Sequence, residues 1–293
     1  MAEIFLARSS EFKNDVCLKV SRMDSRQQPA YGNALKLEAD ILSKLSHQNV
    51  LKLLPLPLSA KFDPYVARAV GITGQPWYCA MELMKGGSLS ALQKDAKKFP
   101  LDVTCAIGVQ LINALYYLHS VRVAHLDMKS ENVLLRYPLV KGARVEPVLI
   151  DFGVSARSMY GDASGGTLMV MSPEYLRRSK GMLAPEVNLD LGKVDIYALG
   201  VLMYKLWTGQ YPFGGLTERS LTSSILNTSP QSPCALNPGL PRGVDQLMRR
   251  WLSKDPRERP NLPKLKYQLS YWAGGLTHMQ ESLVSARKRK LFG

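Results

Sequence analysis

Around Lys85-Gly86-Gly87 the sequence changes its periodicity, and that change limits the folds open to it. Before this point the apolar residues come in short runs. Ile4-Phe5-Leu6-Ala7 and Val16-Cys17-Leu18, separated by polar turn formers, predict a hairpin. Strand signals return at Val50–Leu54, Tyr65–Ile72 and Trp77–Met84, with Pro55, Pro57 and Pro64 in the loop between them. One helix interrupts, marked by Leu35, Glu38, Leu42 and Leu45 and ended by His47-Gln48-Asn49. After the glycines the period is helical. Val103, Ile107, Leu111, Leu115 and Leu118 predict a helix that stops near His119-Ser120. Ile196, Leu199, Gly200, Met203, Leu206 and Trp207 predict a second, apolar nearly all round and therefore buried. Val244–Leu252 and Leu262–Trp272 predict two more. Lys85-Gly86-Gly87 itself reads as a flexible joint. With 293 residues and 46% hydrophobic content the chain can fill two cores. The expectation is an α+β, bilobal molecule with a ligand cleft where the halves meet.

The chemistry sits in the second half. His125-Leu126-Asp127-Met128-Lys129-Ser130-Glu131-Asn132 sets an aspartate, a lysine and an asparagine at tight spacing. An apolar strand-like run, Val148-Leu149-Ile150, then ends in Asp151-Phe152-Gly153. One base, one cation and two metal ligands are what transfer of a nucleotide's terminal phosphoryl group requires. A polar surface turn would not account for a buried-looking strand that ends in Asp-Phe-Gly.

In these motifs the chain resembles the eukaryotic-type protein kinases, over nearly its whole length. The resemblance implies a small β-rich N-lobe with one helix over residues 1–84, a larger, mainly α-helical C-lobe over 85–275, and a basic tail over 276–293. It also implies ATP and magnesium (Mg2+) as cofactors. Val16-Cys17-Leu18-Lys19 stands where the family has its Val-Ala-x-Lys strand, so Lys19 would meet the α- and β-phosphates and Glu38 would pair with it. Asp127 matches the catalytic base, and Lys129 would stabilise charge on the transferred group. Asn132 and Asp151 would hold the metal. Met81-Glu82-Leu83-Met84 resembles the hinge that binds adenine, with Glu82 and Met84 in it, while Ile4, Cys17 and Leu134 would sandwich the purine. Gly166-Thr167 and Ser172-Pro173-Glu174 resemble the Gly-Thr…Ala-Pro-Glu segment. Ala184-Pro185-Glu186 matches the same motif by letter, but the distance from Thr167 favours the first, which makes 175–192 an insertion. Glu174 would then pair with Arg259, and Asp195 would brace the catalytic loop. Lys129, Ser130-Glu131 and Thr167 resemble the serine/threonine kinases, so the implied partners are a nucleotide and a protein carrying Ser or Thr.

The sequence departs from that pattern in three places. Only the tail of the glycine-rich loop precedes Lys19, with Ala2 where its last glycine stands, and this reads as an N-terminal truncation. Leu126 replaces the arginine that binds an activation-loop phosphate. The expectation is an enzyme that needs no such phosphate, although Ser155, Ser158, Tyr160 and Ser164 are available. Cys17 replaces alanine, as a small hydrophobe. The turn over 137–147 is lengthened, with no function legible in it.

Charge and cysteine usage set the remaining bounds. The formal charge is +14; residues 1–84 hold 10 basic and 8 acidic residues, so nearly all the surplus lies later. A solvated basic surface explains this, and Arg287-Lys288-Arg289-Lys290 reads as a frayed tail or a weak nuclear address. Cys17, Cys79, Cys105 and Cys234 lack paired spacing, which points to a reducing, cytoplasmic setting and away from a zinc or disulfide framework. Neither a signal peptide nor a membrane span is read in the sequence. Nucleic-acid binding finds no aromatic-rich strand or finger motif. A nucleotide-binding scaffold without turnover is the main alternative. It would be expected to lose Lys19, Asp127 or Asp151, and all three are present. A small-molecule kinase would not need Ser172-Pro173-Glu174, Asp195 or Arg259.

Overall fold

The structure is a computed structural model that describes residues 2–8, 12, 14–22, 28–56, 63–94, 98–140, 144–155, 166–184 and 186–273, residue 28 by its backbone. Ser158, Tyr160, Ser164, Pro57, Pro185 and the tail from 276 lie outside these residues, as do 141–143 of the lengthened turn.

The first half is a sheet with one helix. β1 (Ala2–Ala7) pairs antiparallel with β2 (Val16–Ser21), and β2 pairs with β5 (Trp77–Glu82). On the other edge of β5 lie β3 (Leu53–Leu54) and β4 (Val66–Arg68), end to end along it. The strands at 50–54 and 65–72 are thus shorter than their apolar runs. In the β2–β5 register Lys19 lies opposite Cys79 and Cys17 opposite Met81, so all four side chains share one face. Helix α1 (Gln28–Ser43) packs Leu35, Ala39 and Leu42 into the core. It begins a full two turns before the apolar period at Leu35, with Pro29 in its first turn, where a missing N–H is harmless.

The second half is helical. α2 (Leu89–Leu92) is capped by the Ser88 side chain. α3 (Leu101–Ser120) has the length and apolar composition to cross a membrane, yet its Ile107, Leu111, Ala114, Leu115 and Leu118 are wholly buried in the protein. It is a core helix. A hairpin of β6 (Val133–Leu135) and β7 (Pro147–Leu149) follows, then α4 (Pro173–Ser179). α5 (Leu191–Thr208) starts on the Asp190 cap and stops at Gly209, whose φ of 82° ends it in the left-handed turn typical of a helix C-terminus. α5 is apolar all round because it is the axis of this half. Trp207 donates from Nε1 to Thr104 Oγ1 of α3 at 2.7 Å, and Trp251 donates to the carbonyl of Ile196 at 2.7 Å. α6 (Glu218–Asn227), α7 (Pro233–Leu236), α8 (Gly243–Trp251) and a helix over 262–273 (α9) complete it.

The halves are stitched at two places. Leu51 N donates to Leu149 O and Leu149 N to Asn49 O, at 3.0 and 2.9 Å. The second place corrects the expected flexible joint. Lys85 N donates to Arg136 O, Gly86 N to Leu135 O and Leu135 N to Gly87 O, at 3.1, 2.9 and 2.9 Å. A Cβ on Gly86 would stand 2.2 Å from the Tyr137 carbonyl oxygen, and Gly87 has φ of 74°. These glycines therefore permit close approach of two backbones rather than freedom.

Candidate active site

Between the halves lies a cleft of about 480 Å³, walled by residues of β1, β2, α1, β5, the Asp127–Lys129 loop, the Asp151–Val154 segment and Gly166-Thr167. Lys19 reaches it from β2. Its Nζ lies 2.7 and 2.6 Å from the two Glu38 carboxylate oxygens and 3.8 Å from Asp151 Oδ1. Burial alone would push the ammonium down, but Glu38 and then Asp151 outweigh it, and its pKa is raised. Glu38 is also raised, chiefly by its own burial, with Lys19 working the other way and Asp151 adding to the rise. One lysine thus answers two carboxylates, and Glu38, deep in α1, fixes its direction.

Asp127 is held from three sides. Its Oδ2 accepts from Lys129 Nζ at 2.7 Å and Asn132 Nδ2 at 3.0 Å, and its Oδ1 accepts from Thr167 N at 2.9 Å. Lys129 also donates to Thr167 Oγ1 at 2.5 Å. The loop beneath is tied to α5: Asp195 accepts from the backbone N–H of His125 at 2.9 Å and of Leu126 at 2.8 Å, and its Oδ2 lies 2.9 Å from His119 Nε2. His125 Nδ1 accepts from Asp127 N at 3.3 Å, so its hydrogen sits on Nε2 and is donated to Ile150 O at 3.0 Å. Phe152 meets the His125 ring edge-on, centroids 4.8 Å apart. The loop that carries Asp127 and the segment that runs from β7 into Asp151 are thereby one hydrogen-bonded unit.

Of the residues singled out by sequence, Ile4, Lys19, Glu38, Asp127, Lys129 and Asp151 wall the cleft together. Asn132 is buried just behind Asp127. Cys17, Glu82, Met84 and Leu134 are not in its wall. Cys17 is half-buried on β2, and burial pushes its thiol up. Leu134 lies on β6, and Met84 packs against the core. Glu82 turns its side chain away, accepting from Lys52 N at 3.1 Å and pairing with Arg136. Sequence reasoning missed Tyr31, Ala34, Leu35, Leu51 and Ile150 as wall residues. Leu35, Leu51 and Ile150 belonged to apolar runs already assigned to the core, and Tyr31 and Ala34 carried no signal.

The donor set suits a hard divalent cation. Asp151 leaves its side chain about half exposed in the cleft, with Gly153 N at 3.4 Å. The Nδ2 of Asn132 is committed to Asp127, so its oxygen is the atom that would face a ligand. One carboxylate and one amide oxygen fit a magnesium ion that keeps waters and phosphate oxygens as its other ligands.

On the far side, Glu174 and Arg259 form a forked pair, 2.6 and 2.7 Å, that anchors α4, while Glu186 lies exposed. Of the two candidate segments, Ser172-Pro173-Glu174 is the one whose glutamate meets Arg259.

Residues 1–269 match the family model described as protein kinase domain. Serine/threonine-protein kinase 36 of Pongo abelii is 32% identical over 85% of this chain and 16% of its own length. Serine/threonine-protein kinase PksC of Streptomyces coelicolor is 28% identical over 88% of the chain and 44% of its own length. The chain therefore spans less than half of these curated relatives. Among solved structures, Rad53 1-466 in complex with AMP-PNP superposes with a TM-score of 0.67 at 21% identity, covering 90% of this chain and 60% of that one. At that identity the likeness shows the fold.

Proposed function

The chain belongs to the protein kinase domain family, matched over residues 1–269, and from that premise we propose that it transfers the γ-phosphoryl group of ATP to serine or threonine hydroxyls of a protein. The observation that carries this reading is the convergence of Lys19, Asp127, Lys129 and Asp151 on one cleft. The relatives named serine/threonine-protein kinases support the choice of acceptor.

In this reading Lys19, steered by Glu38, meets the phosphates nearest the nucleoside. A bound magnesium ion, held by Asp151 and Asn132, would offset the negative charge that otherwise repels the incoming hydroxyl. Asp127 orients that hydroxyl and receives its proton. Its oxygens cannot swing, because Thr167, Lys129 and Asn132 hold them. Lys129 neutralises charge building on the transferred group, and its second bond, to Thr167, ties the acceptor segment to the base. Ile4, Met81 and Ile150 exclude water from the nucleoside end of the cleft. The backbone of 82–84 is the adenine edge, a role that does not need the Glu82 side chain. The four cysteines are free thiols, which supports a cytoplasmic setting.

The test is incubation of the purified chain with radiolabelled ATP, magnesium and a generic basic protein, beside an Asp127→Asn control. Label is expected to enter the protein with wild type and to fall by about 10²-fold or more with the control. Stabilisation by nucleotide without any incorporation would replace this reading with a binding module.

A further inference from the structure

Arg136 has no part in the chemistry above, yet its side chain meets three separate chain segments. Its guanidinium pairs through Nη1 with Glu82 Oε2 at the end of β5, donates from Nη2 to Gln48 O at 2.9 Å, and lies 3.5 Å from Glu146 Oε2 through Nε. Its backbone is used as well: its N–H donates to Glu146 O at 2.9 Å, and its carbonyl accepts from Lys85 N at 3.1 Å. Glu82 is itself locked to β3's approach, since Lys52 N donates to its Oε1 and its own N–H donates to Lys52 O, at 3.1 and 3.2 Å. Both side chains of the pair are about four-fifths buried, where a charge-assisted bond is screened little. Arg136 begins the lengthened turn over 137–147, and the Tyr137 carbonyl presses directly on Gly86.

We infer that Arg136 is a positioning residue for nucleotide binding: it clamps the connector 82–87 onto the β6–β7 hairpin and so fixes the backbone edge that faces adenine. This rests on the kinase reading in taking the cleft to hold a nucleotide and the backbone of 82–84 to be its adenine edge. The clamp gives the lengthened turn a purpose. Without it the connector keeps its three backbone bonds to residues 135–136 but loses the side-chain tie that sets the angle at which β5 leaves the sheet. The nucleotide would then have to order that edge on binding, which lowers affinity without touching the reacting groups.

The measurement is ADP affinity by isothermal titration, together with kcat and the KM for ATP and for protein substrate, in Arg136→Met, Glu82→Gln, the double variant, Arg136→Lys, and Lys180→Met. The last removes the surface pair between Lys180 and Glu218, neither of which walls the cleft, and serves as the control. Either single change at the clamp is expected to weaken ADP and raise the KM for ATP about tenfold, the worth of one bond to a charged group. The double variant should lose no more than either single one. The kcat at saturating ATP and the protein KM should not move, and Arg136→Lys should recover part of the loss. Should Arg136→Met fail to fold, Glu82→Gln carries the same comparison. Wild-type ADP affinity in both clamp variants, with a loss of melting temperature no different from the Lys180→Met control, would overturn the inference and leave the kinase reading intact. A wild-type chain that binds no ADP at all would sink both.

Discussion

Leu126 and Asp151 both hold φ near +65°, at 65° and 64°, a region that a β-carbon makes costly by about 1–3 kcal/mol each. Leu126 is held there by Asp195, which takes both its N–H and that of His125, and the twist aims Asp127 into the cleft. A buried leucine at this position offers nothing to a phosphate. A second burial conflict lies far from the chemistry. Lys254 is pushed down to about 8, first by burial and then by Arg259 and Arg177, while its Nζ donates to Ile225 O at 2.6 Å and sits 3.8 Å from the Phe213 ring centre. The fold thus disfavours its charged form. Between that value and the ordinary 10.5 the unfolded chain holds a proton that the folded chain has released, so this lysine makes stability rise with pH in that window. Urea unfolding of wild type beside Lys254→Met from pH 7 to 10 should show wild type gaining on the variant only above pH 8. Parallel curves across the range would show that the lysine is not depressed.

At the scale of elements, α4 is the part whose place depends on one ion pair. Seven residues long, it cannot hold itself by helix propensity, and Ser172 caps its first turn while Glu174 reaches the fully buried Arg259 side chain. Arg259 also donates to Ser253 O and Lys193 O, at 3.0 and 2.9 Å, so a single guanidinium joins α4, the start of α5 and the turn after α8. Arg259→Ala should cost about 3–5 kcal/mol in urea unfolding, because it strands the Glu174 carboxylate in the interior. A loss below 1 kcal/mol would mean that water replaces the arginine. This pair, and the long elements, could be read from the sequence because their signals are local or motif-borne. The helices α3 and α5 declare themselves by the recurrence of Ile107, Leu111 and Leu115, or of Leu199, Met203 and Leu206. Other elements gave little sign. The first two turns of α1 carry Ala30, Tyr31, Gly32 and Asn33, with no apolar period, and Trp77 packs close against Gly32. α6 mixes Ser, Thr and Arg around just two buried residues, Leu221 and Ile225, too few for a period. The direction of Glu82 was not legible either, since its partner lies 54 positions away in a turn without a motif.

For the molecule as a whole, the connector and the Asn49–Leu51 segment both bond to the β6–β7 hairpin, and one continuous buried cluster runs from Leu35 and Leu42 of α1 through Leu149 and Phe152 to Leu269 of α9. The hairpin belongs to both halves. Neither half can leave it without breaking those backbone bonds, each worth about 0.5–1.5 kcal/mol net, and exposing the buried apolar side chains around them. Asn49 adds a side-chain tie, donating to Pro147 O at 2.7 Å and to Gln110 Oε1 at 3.1 Å. The two halves should therefore unfold together, although a joint made only of glycines would have let them part. A nucleotide bound at their junction should stabilise that single transition by about 2.7 kcal/mol when present at 100 times its Kd. Scanning calorimetry with rising ADP tests this directly. One endotherm that moves as a unit is the expected outcome, whereas two endotherms, only the lower of which responds to ADP, would show that the hairpin does not couple the halves.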